Sequence, residues 1–234
     1  MSPTSKPIVI SLGGSLLFNE SGIDTKIVRQ VCQLFVKLKK EGKKLVVIVG
    51  GGKTAKDYTN AVRELTGNEF FADRIAIDGT RMNALMLIAV LGDEAYPKVV
   101  TDFDETFYAL KQGLLPVGAG MLEGITTDTD AVLVAERLGA SHLINASKID
   151  ALYSADPNAN PNAKKFDEIT HAKLVELATA GDSRKARTNF VFDLVASKLA
   201  ARSNIELHFV PGRNLDELEK AILGKKHSGT IVKD

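Results

Sequence analysis

One cysteine in 234 residues leaves no internal disulfide, and a lone thiol fits a reducing cytoplasm. Cys32 stands in "VRQVCQLFVKL", where apolar residues recur at helical spacing, so it reads as a core position rather than a nucleophile. An excess of one charge is missing too: 30 Lys and Arg against 29 Asp and Glu leave a net +1. No global field draws the chain to nucleic acid or to an anionic membrane, so any anion it binds must be held by local geometry. The four histidines, His142, His171, His208 and His227, are dispersed without metal-ligand spacing and read as surface or hydrogen-bonded core positions. No apolar run approaches the roughly 20 residues that cross a bilayer. The first residues, "MSPTSKPIVISLGG", hold no long apolar region and no small-residue cleavage site, so no secretory leader is expected.

What is present is an ordinary globular composition, 44% hydrophobic and 25% charged, in a chain long enough for a substantial core. Strand-like and helix-like segments alternate almost throughout. "PIVISLGG" is a β-branched run closing on glycines; "DTKIVRQVCQLFVKLKKEG" follows as a helix, with Asp24 as N-cap and Gly42 as stop. "KKLVVIVGGG" is apolar at consecutive positions, as expected of a strand covered on both faces. Helices are expected from about Thr54 to Leu65 and Phe71 to Leu91, then "KVVTDF" as a short strand, "DETFYALKQG" as a helix and "LLPVGAG" as a strand. In the second half, "TDTDAVLVAERLGA", "HAKLVELATA", "TNFVFDLVASKLAARS" and "LDELEKAILG" read as helices, "SHLINAS" and "IELHFV" as strands, and "KIDALYSADPNANPNAKKFDEIT" as a long polar loop. Such alternation predicts an α/β fold with a mainly parallel sheet between helical layers. No break in composition divides the chain, so one domain over residues 1–234 is expected.

Three glycine clusters fall at predicted strand ends: Gly13-Gly14, Gly50-Gly51-Gly52 and Gly118-Ala119-Gly120. Ligands of open α/β sheets bind beyond the carboxyl ends of the strands. "GGGKT" imitates a P-loop, but that motif needs a glycine six residues before its lysine, and Val47 stands there. A glycine turn feeding a helix still permits positive φ, close backbone approach and free N–H groups facing an anion. Steric need alone explains any single cluster equally well; three at equivalent positions point to a binding edge. In "GITTDTDA", Thr126, Thr127 and Asp128 enter a helix and fit N-caps as well as ligands.

In order along the chain, "ISLGGSLL", "VIVGGGKTAKDY", "FFADRIAIDGTRMNALMLIAVLG", "LLPVGAG", "TTDTDAV", "SKIDALYSADPNANPNAKKF" and "FDLVASKLAARSNI" resemble the amino acid kinase superfamily, within it most closely the archaeal-type uridylate (UMP) kinases. The resemblance implies a three-layer α/β/α sandwich that moves the ATP γ-phosphoryl group onto UMP, giving UDP and ADP in pyrimidine nucleotide biosynthesis. It implies an acceptor half at about 1–125 and an ATP half at about 126–234, Mg²⁺ held mainly by nucleotide phosphates, a cytoplasmic location and a homo-oligomer, hexameric in the family. No nucleic acid or membrane partner is implied.

Carried over by resemblance, Gly13, Gly14 and Ser15 face the ATP phosphates, Gly51 the UMP phosphate, and Gly52 the group in transfer. Asp73 matches the aspartate on the UMP ribose, with Arg81 further along the same helix. Met121, Leu122, Glu123, Gly124, Ile125, Thr126 and Thr127 form the loop over UMP. Lys56, Ser147, Lys148, Tyr153 and Asp156 match ATP contacts, and Asp150 and Asp193 the acidic residues of the catalytic centre. Asp193 also fits a plain helix N-terminal carboxylate.

The pattern is not followed everywhere. Many members carry a lysine two residues before the first glycine pair, where Ser11 stands here; Lys53, Lys56, Lys165 and Arg184-Lys185 are the candidates to replace its charge. Ala151 follows Asp150 where glycine is usual, and "MLEG" and "GDSRKARTNFVFD" depart from the acceptor loop and from a smaller Gly/Ser-rich segment. A sister kinase for carbamate, an amino acid carboxylate or isopentenyl phosphate is the alternative, and a nucleotide- or oxyanion-storing protein on the same fold a further one.

Overall fold

A computed structural model describes residues 6–155, 157, 160, 162–181 and 192–234. Asp156, Arg184 and Lys185 lie outside the described residues.

The apolar strand β1 (Ile8–Leu12) runs through the middle of the sheet. It pairs in parallel with β4 (Leu45–Val49) on one side and β6 (His142–Ser147) on the other. Beyond β4 lies the short β5 (Val117–Gly118), also parallel. Beyond β6 come β8 (Leu207–Pro211), then β9 (Thr230–Val232), then β7 (Glu168–Ile169), giving the order β5-β4-β1-β6-β8-β9-β7. Only the β8–β9 pairing is antiparallel among the named strands of this sheet. A separate two-stranded hairpin, β2 (Phe18–Asn19) with β3 (Gly22–Ile23), follows a 3₁₀ turn over Gly14–Leu17.

Alternation along each strand divides the core in two. Ile8, Ile10, Leu12 and Val47 face a cluster built with α1 (Thr25–Lys40), α3 (Glu69–Leu91) and α8 (Leu215–Ile222). Val9, Val46, Leu143 and Phe209 face the other cluster, built with α5 (Thr127–Leu138), α6 (His171–Gly181) and α7 (Leu194–Arg202). The remaining helices, α2 (Gly52–Thr66) and α4 (Phe103–Lys111), follow β4 and precede β5. This is the three-layer α/β/α sandwich expected. Cys32 packs in the first cluster, where burial pushes its thiol up to about 12, so it stays protonated as a core residue.

Four segments differ from expectation. "KVVTDF" makes only a single bridge, Val100 to Gly118, because Asp102 caps α4 two residues later. The last helix before β8 starts at Leu194, since Asp193 is extended and caps Ala196 N. The tail residues Thr230–Val232 form a strand, as do Glu168–Ile169 at the end of the long polar loop. Helix α3 is long and apolar enough in composition to cross a membrane. It carries Asp73, Arg74, Asp78 and Arg81, however, and buries Ala72, Ile77, Ala84 and Leu87 in the sandwich.

Candidate active site

The first two glycine clusters touch backbone to backbone, because β1 and β4 are neighbours and end at the same level. Gly50 N donates to Leu12 O at 2.9 Å. A Cβ on Gly14 would lie 2.1 Å from the Gly50 carbonyl oxygen, and one on Gly52 2.7 Å from that of Gly14. Gly52 has φ +66°, following Gly51 in the right-handed region at φ −77°, ψ −26°. Successive right- and left-handed residues form a concave nest of N–H groups, here at the N-terminus of α2, a ready seat for an anion. Gly13 lies beside Ser147 at the end of β6, the adjoining strand. Ser15, Phe18, Gly52, Lys53, Lys56 and Lys148 line a cleft of about 470 Å³ in front of these turns.

A second group of residues holds the loop over 121–126 at three points. Asp130 accepts from Met121 N at 3.2 Å, Asp73 from Gly124 N at 3.0 Å, and Asp193 from the Thr126 hydroxyl at 2.5 Å. Arg74 pairs with Glu123 at 2.9 Å, and the hydrogen bond holds the Glu123 carboxyl below its usual range. Leu122 is exposed at the tip, and Thr127 begins α5 with its hydroxyl near Gly50. Thr126 is the N-cap of α5, accepting from Thr129 N, so the capping expectation holds for that residue. Asp193 is both a cap of α7 and the partner of Thr126 and Thr129, which joins α7 to α5.

Asp128, which the sequence offers as a helix N-cap or a ligand, lies in the first turn of α5, behind the true cap Thr126. Ser11 and Asn145 are cross-strand partners on β1 and β6, on the face that α5 covers. Ser11 Oγ donates to Asp128 Oδ1 at 2.6 Å and Asn145 Nδ2 to the same oxygen at 2.9 Å. Where the related lysine would stand, a hydroxyl meets the carboxylate instead. Burial, aided by the charge of Asp193, raises Asp128 to about 7 despite those two hydrogen bonds. Asp130 is likewise raised to about 7, chiefly by burial. The only local signal for Asp128 was "TTDTDA"; its partners lie 117 and 17 residues away.

The remaining predicted residues form a third group. The Tyr153 hydroxyl donates to Asp150 at 3.0 Å, Lys165 lies 3.9 Å from the same carboxylate, and Lys165 also donates to Ser228 O. Lys53 is paired with Asp57 on the exposed side of α2. Arg81 pairs weakly with Asp78 at 3.4 Å, its Nε buried without a hydrogen-bond partner among the described residues.

Paired glycine turns at adjacent parallel-strand ends, with lysines and carboxylates around them, mark the binding edge of a three-layer α/β/α protein. The chain belongs to the amino acid kinase family, whose pattern it matches over residues 6–210. It is 41% identical to a uridylate kinase of Thermococcus kodakarensis over 96% of this chain and 98% of that protein. A uridylate kinase of Methanocaldococcus jannaschii is 38% identical, again over 96% and 98%. The crystal structure of uridylate kinase from Archaeoglobus fulgidus superposes with a TM-score of 0.85, at 37% identity, covering 97% of this chain and 99% of that one.

Proposed function

We propose that this chain is an ATP-dependent UMP kinase. The observation that carries the reading is the contact of the Gly13-Gly14 and Gly50–Gly52 turns; in this reading a donor and an acceptor phosphate meet there. A phosphate oxygen of UMP bonds to the γ-phosphorus as the bond to the β,γ-bridging oxygen breaks, leaving UDP and ADP. The second phosphate pKa lies near 6, so the attacking oxygen is already ionised at neutral pH and no general base is required. Catalysis then consists of alignment and charge stabilisation around a loose transition state. The nest at Gly51 and Gly52 holds the transferring group, while Lys56 and Lys148, without a carboxylate partner among the described residues, supply cationic charge in the cleft.

The donors at the sheet edge are oxygens, the carboxylates of Asp128 and Asp193 beside the hydroxyls of Thr126 and Thr129, a set that suits Mg²⁺. Among the described residues no three His, Cys, Asp or Glu are disposed to hold a metal alone. Mg²⁺ would therefore be held mainly by the nucleotide phosphates, with Asp193 and Asp150 as the carboxylates that order it, and would neutralise phosphate charge. In this reading UMP sits in the first half of the chain, about 1–125, with Asp73 and the 121–127 loop, and ATP in the second, about 126–234, with Ser147, Lys148 and Tyr153. The location we assign is the cytoplasm, consistent with a buried, unpaired Cys32. A homo-oligomer is supported by the outer face of α3, which leaves Phe71, Met82, Leu85 and Val90 exposed.

The test is coupled ADP release against a panel of UMP, CMP, carbamate, an amino acid and isopentenyl phosphate. Turnover with UMP above the rest is expected. Turnover with carbamate or isopentenyl phosphate and none with UMP would overturn the assignment.

A further inference from the structure

Helix α3 stands behind the glycine turns, and two of its side chains, one turn apart on the same face, reach them. The Thr80 hydroxyl accepts from Gly120 N at 2.8 Å and donates to Ile77 O at 2.6 Å. Asn83 is buried, and both hydrogens of its amide are spent on the β4–α2 turn. Its Nδ2 donates to Gly50 O at 2.8 Å and to Gly51 O at 3.0 Å. In a trans peptide the N–H points opposite to the C=O of the same unit, and no described peptide is cis. Drawing the carbonyls of Gly50 and Gly51 onto Asn83 therefore turns the N–H groups of Gly51 and Gly52 the other way, toward the cleft. Without side chains, glycines have no means of their own to choose between this peptide orientation and its flip.

We propose that Asn83 is a positioning residue for phosphoryl transfer. It fixes the two peptide planes whose N–H groups form the anion seat, while touching no substrate itself. The inference rests on the UMP kinase reading and extends it to a residue outside the cleft. Its effect is specific to phosphate: the amide sets donors that a nucleoside lacking phosphate never meets.

The experiment compares Asn83→Asp, which keeps shape and removes the donors, with wild-type enzyme and with Ile222→Val, a packing change in α8 that serves as a stability-matched control. Measured are kcat, KM for UMP, and the inhibition constant of uridine, which has no phosphate. Displaced donors predict a fall in kcat of about 30-fold or more. The preference for UMP over uridine should drop about tenfold, with uridine binding unchanged. Should Asn83→Asp fail to fold, Asn83→Ser, which keeps one shorter donor, carries the same readout. A stability loss with the UMP-to-uridine ratio preserved, as in the control, would reduce Asn83 to a structural prop and overturn the inference. Wild-type protein inactive on UMP would instead refute the kinase reading, and the inference with it.

Discussion

Two carboxylates at the sheet edge behave differently because their neighbours differ. Asp128 is buried beside a serine and an asparagine and is raised to about 7. In the free enzyme its ionisation should appear as an inflection in kcat/KM near pH 7, because it changes the charge beside Asp193, a carboxylate we assign to ordering Mg²⁺. Asp128→Asn should remove that inflection and lower kcat about 100-fold, as pH-rate profiles of the two proteins will show. Persistence of the inflection would assign it to Asp130, the other group raised to about 7. Among the described residues Asp73 accepts from Gly124 N alone, an exposed bond that a ribose hydroxyl can replace. Asp73→Asn should raise KM for UMP by about tenfold while leaving KM for ATP within twofold. Equal losses would take Asp73 out of the acceptor site.

Among elements, the loop after β6 is tied to β9 by a buried hydroxyl. Thr230 Oγ1 accepts from Leu152 N at 2.9 Å and donates to Phe166 O at 2.5 Å, flanking Tyr153. Thr230→Val leaves both backbone groups unsatisfied and should cost about 1–3 kcal/mol in thermal or denaturant unfolding. Because Tyr153 and Asp150 ride on this loop, KM for ATP should rise more than KM for UMP. On α3, Leu85 is 58% and Met82 65% exposed, a face that a second copy would cover. Leu85→Glu should lower the mass seen by light scattering without unfolding the chain; an unchanged mass would remove this face from the interface.

The central strands and the long helices were legible because their apolar periods are local: Ile8–Leu12, Leu45–Val49 and the α1 stripe announce themselves. The glycine turns were legible too, but not why Gly14 and Gly52 must be glycine, which follows from contact between chains 38 residues apart. The roles of Asn83 and Asp128 were not legible, since a polar residue in a helix acquires its role from strands it meets only in the fold. Nor were β7 and β9, too short for a period of two to stand out.

At the scale of the whole molecule, three histidines distant in sequence meet because β6 and β8 pair. The His142 and His208 rings lie 4.8 Å apart, and His227 Nε2 donates to His208 Nδ1 at 2.8 Å. His208 Nε2 donates to Glu206, His142 Nε2 to Ala221 O, and His227 Nδ1 accepts from Gly229 N. This pattern is satisfied by neutral rings, so a second proton on His208 or His227 would face a donor. Burial lowers all three below the usual range, His208 to about 4; Glu206 and Glu217 oppose this, while Lys43, Lys165 and Lys220 reinforce it. A lowered histidine contributes stability that is full above about pH 6.5 and lost as pH falls through about 4. Asp128 and Asp130, raised to about 7, act with the opposite sign, losing stability as pH rises from about 4 through 7. Replacing His208 by Gln should therefore flatten the acid limb, by up to about 1.4 kcal/mol per pH unit between those limits. Denaturant midpoints measured across that range will show it; an unchanged slope would mean that the rings titrate normally.

Strand β9 lies between β8 and β7, yet it is the latest of the described strands in sequence. While the chain is being made, β1, β4 and β6 can already be joined, but β7 has no neighbour to pair with until Thr230–Val232 leave the ribosome. Since the same segment secures the Tyr153 loop through Thr230, a nascent chain can close its glycine turns before that loop is tied down. On the proposed assignment, the phosphate seats would then take shape before the loop on the ATP side is fixed.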